Sequence, residues 1–270
     1  IKLLLELKFK KRIIYFHGIT PPKFFPPESE IFRSCKKGLK DINLISNFDL
    51  YISNSTESKN QFLDKVNQNF IDCKKFINMP PIDLFSEKNK VKKSKSIKSG
   101  LNFYYCGTLV KHKNINSLLD LFNKNLKNKI NLSIFTSFSK EECLNILGEY
   151  KYTEYLENGI NFFNKLENEQ MNNHLKTMDC FITLSLHEGF CIPLFNAINN
   201  FNPGLSFSLK CLEDYFPKEY QYISIGDNLE IIQKKYHNNL ENIEKFRDYI
   251  KHKAKGYSKN GLDLILNTIE

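Results

Sequence analysis

Short apolar runs alternate along the chain with longer segments whose apolar residues recur at the spacing of one helix face. The runs predicted as strands lie at 13–16, 48–53, 74–78, 101–106, 130–136, 159–163, 180–185, 204–208 and 222–225. The segments predicted as helices lie at 31–46, 55–67, 116–126, 139–156, 167–177, 190–200, 228–238 and 241–255. Strands that alternate with helices indicate βαβ units, so we predict an α/β fold with mostly parallel sheets.

Three loops that directly follow predicted strands contain the residues best suited to chemistry. Their sequences are HGITPP at 17–22, GTLVKHKN at 107–114 and SLHEGFCIP at 185–193. In open parallel sheets, ligands bind beyond the carboxyl ends of the strands. We therefore expect the functional site to lie among these three loops.

The loop at 185–193 combines features that suit a phosphorylated sugar. Gly189 lets another backbone approach closely, and the helix predicted to begin near Phe190 offers free N–H groups and a favourable dipole to an anion such as phosphate. Pro193 is tolerated in the first helical turn, where its missing N–H has no helical partner to lose. The Glu188 carboxylate would repel a bound phosphate unless it had donors of its own, which sugar hydroxyls supply. A carboxylate that only caps an ordinary helix is the structural alternative.

These loops carry a resemblance to a known enzyme family. The segment SLHEGFCIPL resembles the donor-binding signature S-x-x-E-G-F-G-x-P of the GT-B glycosyltransferases of family GT4, and GTLVKHKN resembles the G-R-x-x-x-x-K loop of the same family. HGITPPKFF at 17–25, FDLYISNS at 48–55 and NMPPIDLF at 78–85 are similar to the latter half of the acceptor domain in one bacterial subgroup. Together these segments cover nearly the whole chain in the family's order.

The resemblance implies an α/β fold of the GT-B type, with two Rossmann-like domains, parallel sheets and an incomplete N-terminal domain. The expected parts are a partial acceptor-side domain at 1–86, a Lys- and Ser-rich linker at 87–100, a nucleotide-sugar-binding domain at 101–250 and a helical tail at 251–270. The family's early glycine-rich loop has no counterpart before Ile1, so we expect the chain to be either truncated or a remnant. The linker composition is typical of a solvated segment, and a basic segment that contacts phosphate or lipid is the alternative.

The resemblance also implies an activity, the retaining transfer of a sugar from a nucleotide-diphosphate sugar to an acceptor hydroxyl without a metal ion or other cofactor. Glu188 would contact the donor sugar hydroxyls, Lys113 would neutralise the diphosphate, and His17 would face the donor sugar from across the cleft. For His17, a hydrogen-bonded histidine in a strand-end turn is the alternative. The expected catalytic residues are His17, Lys113 and Glu188, and the expected donor-binding residues are Gly107, Thr108, Lys113, Glu188, Gly189, Phe190, Cys191 and Asn196.

Two residues depart from the family pattern at positions that bear on catalysis. Thr108 stands where the family has an arginine, which removes one of two cations from the leaving group at a cost on the order of 2.7–4 kcal/mol in the transition state. Asn196 stands where the family has a second glutamate, so its bond to a ribose hydroxyl would be neutral, and charge-assisted bonds are roughly twice as strong. These departures keep open a glycosyltransferase-like binding or partner protein with impaired catalysis. Other GT-B enzymes, such as sugar-phosphate synthases and phosphorylases, also fit.

Net charge constrains the partners. Lys and Arg exceed Asp and Glu by nine in 270 residues, which permits nucleic acid, a membrane surface or a phosphorylated small molecule as an anionic partner. No nucleic-acid-binding motif accompanies this charge, which disfavours a nucleic-acid-binding module. We expect a nucleotide-sugar donor, a glycan or lipid-linked acceptor, peripheral contact with an anionic membrane, and no nucleic acid.

Cysteine content and hydropathy bear on location. The seven cysteines include no C-x-x-C pair, which is typical of a protein in a reducing compartment. The apolar runs are far shorter than the roughly 18–20 residues of a membrane-spanning helix. We therefore expect a cytoplasmic protein of glycan or cell-surface polysaccharide biosynthesis, with peripheral association at the inner membrane face.

Overall fold

The structure, a computed structural model, describes residues 8–45, 48–66, 76–81, 100–123 and 130–269. Within these residues the chain forms two parallel β-sheets, each with helices packed against it. Apart from Gly100, the predicted linker at 87–100 lies outside the described residues. Leu126 of the predicted amphipathic helix and residues 82–85 of the NMPPIDLF segment also lie outside them.

The N-terminal sheet is built from short strands, and each of the two described α-helices of this half begins directly after a capping serine. Its strands are β1 (Ile13–Phe16), β2 (Leu50–Ser53) and β3 (Phe76–Asn78), and its helices are α1 (Glu30–Asp41) and α2 (Thr56–Leu63). The strands are parallel and lie in the order β1-β2-β3. Ser29 caps α1 by accepting a hydrogen bond from the Phe32 N–H, and Ser55 caps α2 by accepting one from the Ser58 N–H. The buried core of this half includes Phe16, Tyr51, Phe62 and Phe76.

The C-terminal sheet is larger and doubly wound. Its strands are β4 (Leu101–Cys106), β5 (Ile130–Thr136), β6 (Asn161–Asn164), β7 (Cys180–Ile182) and β8 (Gly204–Leu205). All pairings are parallel, and the strand order is β6-β5-β4-β7-β8. The chain therefore moves outward from β4 to β6 and then returns to the other side of β4. In doubly wound sheets the ligand crevice lies at this reversal, which here falls between the loops that follow β4 and β7.

Helices cover both faces of the C-terminal sheet. They are α3 (Ile115–Asn123), α4 (Lys140–Leu147), α5 (Glu149–Glu157), α6 (Asn168–Leu175), α7 (Ile192–Asn199), α8 (Lys210–Glu213), α9 (Leu229–Glu241) and α10 (Ile243–Ile269). Successive residues of β4 belong to different cores, since Phe103 and Tyr105 pack in one buried cluster and Tyr104 packs in another. A strand buried on both faces is typical of parallel α/β sheets. No described helix combines the length with the apolar composition that a membrane crossing requires.

The last helix, α10, returns to the N-terminal sheet. Leu264 and Ile265 near its end pack against Leu50, Ile52 and Met79. A Cβ atom added at Gly261 would lie 2.6 Å from the Met79 sulfur, so only a glycine permits this close approach. The predicted tail at 251–270 is thus, in its described part, the second half of α10.

The predicted α/β fold class is confirmed, and most predicted elements are found. The strands at 101–106 and 130–136 match residue for residue. The prediction of one helix over 139–156 is wrong, because Gly148 adopts a left-handed φ of +82° and separates α4 from α5. The predicted strand at 222–225 is also wrong, since the contact found there is a single bridge between Phe207 and Ile223.

Candidate functional site

Two adjoining cavities open at the carboxyl ends of the C-terminal strands. The first, of about 330 Å³, lies between the loops that follow β4 and β7, and its walls include Asn54, Gly107, Thr108, Lys113, Glu188 and Cys191. The second, of about 430 Å³, shares Cys106, Gly107 and Thr108 with the first and continues past the ends of β5 and β6. The walls of the second cavity are largely apolar and include Phe135, Phe163, Leu166 and Met171. The reversal of strand order therefore creates a crevice that can hold a ligand of two parts, one in each cavity.

Lys113 and Glu188 meet in the first cavity. Lys113 Nζ lies 2.7 Å from Glu188 Oε1, and the two side chains are only 19% and 12% exposed. Lys113 ends a 3-10 turn at Lys111–Lys113, and Glu188 follows β7, so the pair joins the two loops that flank the crevice. An ammonium has three donors, so Lys113 keeps N–H groups for an anionic ligand while one is bonded to the carboxylate. The predicted convergence of these two residues is therefore present in the fold.

The loop after β4 is held by a buried tyrosine. Tyr105 Oη donates a 2.7 Å hydrogen bond to the Thr108 carbonyl, and the Gly107 N–H bonds to the Phe135 carbonyl at 3.0 Å. Gly107 has φ +158°, and a Cβ atom there would lie 2.8 Å from Tyr105 Oη. Burial raises the pKa of Tyr105, so its hydroxyl remains a donor at neutral pH. The backbone at 107–108 thus has a fixed position on the shared wall of the two cavities.

The loop after β7 ends at the amino end of α7, which faces the first cavity. Cys191, Ile192 and Pro193 at this end all line the cavity. Cys191 adopts a left-handed conformation with φ +57°, at the position where the family signature has a glycine. The aligned peptide dipoles of a helix favour negative charge at its amino end. Lys113 and α7 therefore present positive potential to the same space.

Phe190 and Gly189 contribute differently from each other. Phe190 lines the first cavity, and its ring is buried in the core, where it stacks on Phe195 with 4.3 Å between centroids. A Cβ atom at Gly189 would lie 2.6 Å from the His17 carbonyl oxygen, so glycine is needed where the two halves of the chain touch. This contact brings the ends of the N-terminal strands to the cavity.

His17 approaches the site with its main chain rather than its ring. Its carbonyl oxygen faces Gly189 and lies 3.5 Å from Asn54 Nδ2, while its exposed imidazole packs on Tyr15 with 4.5 Å between ring centroids. Among the described residues that line the two cavities, His17 does not appear, and Asn54 is the contribution of the N-terminal half. Asn54 was not anticipated from sequence, although its position directly after β2 is a signal for a residue at the ligand edge of a parallel sheet.

Asn196 lies farther along α7. It is half-buried in the second turn of the helix and is not among the described residues that line either cavity. Its carbonyl accepts a hydrogen bond from Asn200 Nδ2 at 2.8 Å. The predicted contact with a ribose hydroxyl therefore stays a prediction.

A cluster of rings adjoins the Lys113–Glu188 pair. Phe24, His112 and His187 lie with their centroids 5.8 to 6.3 Å apart. Burial is the main cause that lowers the pKa of both histidines, that of His112 to about 4, and the nearby Lys113 ammonium lowers both further. Both imidazoles are therefore neutral at pH 7. Sequence reasoning did not anticipate this cluster, because its members come from three separate segments.

Polar contacts join the two halves around the site. Ser55 Oγ donates to the Gly189 carbonyl at 3.1 Å, and Tyr215 Oη donates to the Asn54 carbonyl at 2.9 Å. The Asp214 carboxylate accepts hydrogen bonds from the Thr56 N–H at 2.7 Å and from Thr56 Oγ1 at 2.8 Å. We call these contacts of 54–56 with 189 and 214–215 the seam. The seam sets the position of Asn54 relative to the first cavity.

A model of one known protein family matches most of the chain, including loops that form this site. The family model of the glycosyl transferases group 1 matches residues 86–257, which is more than half of the chain. The chain belongs to the glycosyl transferases group 1 family. The match includes both loops that flank the crevice, the Lys113–Glu188 pair and all of α7. No curated protein matches the chain by sequence.

Solved structures with the same fold extend the comparison to the N-terminal half. TarM from S. aureus matches with a TM-score of 0.61 at 15% identity, over 95% of this chain and 49% of its own. HepE from Anabaena, in complex with UDP and glucose, matches with a TM-score of 0.60 at 15% identity, over 92% of this chain and 66% of its own. Sucrose-phosphate synthase from Thermosynechococcus elongatus matches with a TM-score of 0.64 at 14% identity, over 99% of this chain and 69% of its own.

At these identities the likeness establishes the fold alone. The fold of this family member is the GT-B type predicted from sequence. The chain spans about half the length of TarM and about two thirds of HepE.

Proposed function

We propose that this family member is a retaining glycosyltransferase of the GT4 type, which moves a sugar from a nucleotide-diphosphate sugar to an acceptor hydroxyl. The observation that carries the proposal is the 2.7 Å ion pair of Lys113 and Glu188 at the amino end of α7. It combines a cation for phosphate with a carboxylate for hydroxyls in one crevice. The complex of the neighbour HepE with UDP and glucose supports a nucleotide sugar as the donor.

In the proposed complex, the diphosphate lies against the amino end of α7 and accepts hydrogen bonds from Lys113. The developing charge on the leaving diphosphate is then met by a preorganised cation and a helix dipole, usually the largest catalytic effect. Glu188 accepts hydrogen bonds from hydroxyls of the transferred sugar. The second cavity, with its apolar walls around Phe135 and Phe163, takes the base of the nucleotide.

The proposed transfer requires no strong protein base. The bond between the anomeric carbon and the phosphate oxygen breaks, the acceptor oxygen forms the new bond on the same face, and the leaving phosphate takes the acceptor proton. Since Lys113 and the α7 dipole balance the leaving charge, we expect the reaction to proceed without a metal ion. Activity that survives treatment with a chelator would support this expectation, and activity restored only by a divalent ion would contradict it.

We also propose a glycan or lipid-linked acceptor and a cytoplasmic location, at the inner membrane face, in cell-surface polysaccharide biosynthesis. The outward face of α1 supports peripheral contact with an anionic surface, because it carries the exposed residues Arg33, Lys36, Lys37 and Lys40. Flotation with vesicles of phosphatidylglycerol tests this contact. Recovery of the protein equally with neutral and anionic vesicles, or with neither, would contradict it.

The donor is tested by thermal unfolding in the presence of UDP-glucose, UDP-N-acetylglucosamine, GDP-mannose and ADP-glucose. We expect at least one of these to raise the Tm of the wild-type protein, because a ligand that binds only the folded state stabilises it. We expect Lys113→Ala and Glu188→Ala to abolish the rise, since each removes one of the two charges in the first cavity.

Lys235→Ala is the matched control. Lys235 pairs with Asp227 outside both cavities, and the exposed fractions of that pair, 17% and 10%, resemble those of Lys113 and Glu188. The control variant should keep the full ligand-induced rise in Tm. A wild-type protein that responds to none of the four nucleotide sugars would count against the proposed function.

A further inference from the structure

Asn54 differs from the other described residues of the first cavity in the part of the chain from which it comes. It follows β2 in the N-terminal half, whereas the other described residues that line this cavity come from the C-terminal half. The residue is only 4% exposed. It therefore brings the N-terminal half to the cavity that Lys113, Glu188 and the amino end of α7 also line.

The Asn54 side chain has an unused acceptor. Its Nδ2 lies 3.5 Å from the His17 carbonyl oxygen, which can only accept, so the amide nitrogen must face that oxygen. Its Oδ1 is buried and has no hydrogen-bond partner. A buried carbonyl oxygen without a donor is unfavourable, so a bound group that supplies the donor gains affinity.

Asn54 is also held firmly in place. Its carbonyl accepts the 2.9 Å bond from Tyr215 Oη, and the next residue, Ser55, bonds to the Gly189 carbonyl. The seam thus anchors the chain on the carboxyl side of Asn54, and β2 holds it on the amino side. Because the main chain is fixed, only the amide group has to turn to present its buried Oδ1 to the cavity, and little conformational freedom is lost when a ligand binds.

We infer that Asn54 Oδ1 accepts a hydrogen bond from a hydroxyl of the sugar that is transferred. The inference rests on the proposed function and adds a donor-sugar contact from the N-terminal half. An amide oxygen cannot bond to the oxygens of an ionised diphosphate, because neither side carries a proton. Lys113 and the amino end of α7 already serve the diphosphate, so a sugar hydroxyl is the group that matches Asn54.

The experiment compares the affinities for UDP-glucose and for UDP by calorimetry, with GDP-mannose and GDP, and ADP-glucose and ADP, as the alternative pairs. In Asn54→Ala we expect the affinity for the nucleotide sugar to fall about two- to tenfold, the range for one neutral hydrogen bond. The affinity for the free nucleotide should stay at the wild-type value, which also demonstrates that the variant folds.

Asn202→Ala is the matched control. Asn202 is also 4% exposed, its Nδ2 also donates to one carbonyl, that of Met178, and its Oδ1 also has no partner, but it lies outside both cavities. This variant should bind both ligands as the wild type does. If its loss of sugar-nucleotide affinity equals that of Asn54→Ala, the effect is structural and the inference is overturned.

Two further outcomes separate this inference from the proposed function. In the first, the wild type binds a nucleotide sugar while Asn54→Ala keeps the wild-type ratio of affinities for nucleotide sugar and free nucleotide. That result, which includes an equal loss of affinity for both ligands, would overturn the role of Asn54 alone. Absence of wild-type binding to every nucleotide sugar would overturn the proposed function together with this inference.

Discussion

The backbone and the side chain of Cys191 have different roles. Its left-handed backbone turns the chain into α7 and lines the first cavity, although that conformation costs a non-glycine residue roughly 1–2 kcal/mol. Its thiol is buried in the core cluster of Phe190 and Phe195, and burial raises its pKa, so the thiol stays protonated at neutral pH. The residue therefore shapes the cavity wall at the amino end of α7.

His112 should make stability depend on pH in a defined direction. Burial lowers its pKa from about 6.5 in the unfolded chain to about 4 in the fold, where Lys113 and His187 disfavour and Glu188 favours its protonation. The unfolded state therefore binds the proton more tightly between these values. The contribution of the neutral His112 to the free energy of unfolding is therefore complete above pH 6.5. It falls as the pH drops toward 4, by up to about 1.4 kcal/mol per pH unit.

The measurement is the free energy of unfolding in urea between pH 7.5 and 4.5, for the wild type and for His112→Gln. We expect the variant to lose less stability than the wild type over the acidic part of this range. His237→Gln, on the exposed side of α9, controls for the loss of an imidazole. Parallel pH profiles for the wild type and His112→Gln would show that the buried imidazole is not linked to folding.

At the scale of elements, α2 receives part of its capping from the other half of the chain. Ser55 caps it locally, and the Asp214 carboxylate adds two hydrogen bonds from beyond α8 to the Thr56 N–H and hydroxyl. A carboxylate at the amino end of a helix is favoured by the helix dipole as well as by these bonds. The seam is therefore supported by a helix end of the N-terminal half and a side chain of the C-terminal half.

Asp214→Ala should lower the free energy of unfolding by about 0.5–2 kcal/mol, the range for loss of a capping side chain. Asp214→Asn retains acceptor oxygens without the charge, so we expect a smaller loss. Asp263→Ala removes an exposed aspartate of α10 and should change stability little. Urea unfolding of the three variants checks the order, and an Asp214→Ala protein as stable as the wild type would remove the argument for this cap.

At the scale of the whole molecule, α10 and the seam connect the two sheets on separate surfaces. The seam joins the ligand ends of the strands, whereas the end of α10 packs against Leu50, Ile52 and Met79. The N-terminal strands are short, and the two attachments add buried contacts that these strands lack by themselves. The position of Asn54 at the cavity depends on this arrangement.

Two glycines of α10 provide a test of this docking within one helix. Gly256 has open space where a Cβ would lie, so Gly256→Ala should raise the free energy of unfolding by about 0.8–1 kcal/mol through helix propensity. At Gly261 the added Cβ would lie 2.6 Å from the sulfur of Met79 and 3.3 Å from its Cβ. Gly261→Ala should therefore lose that gain and destabilise the protein, as measured by urea unfolding. Equal stabilisation by both substitutions would contradict close packing of α10 on the N-terminal sheet.

Much of this architecture follows from local patterns in the sequence. Apolar runs with turn residues after them specify strands such as 101–106, because side-chain periodicity and chain-breaking residues act over only a few positions. The signature at 185–194 and the loop at 107–114 predict Lys113 and Glu188 as site residues from local sequence alone. Gly148 was a local signal as well, yet its ability to end one helix and begin the next was missed in the prediction over 139–156.

Tertiary structure alone decided which residues share the cavity. The β6-β5-β4-β7-β8 order places the ends of β4 and β7 side by side, and strand pairing between distant segments has no periodicity in the sequence. The approach of Gly189 to the His17 carbonyl brings Asn54 to the cavity wall, whereas sequence reasoning chose the His17 ring. Such contacts depend on packing between segments more than a hundred residues apart. The sequence therefore determined most of the elements and the two charged residues, and the packing of the two halves determined which residue of the N-terminal half lines the cavity with them.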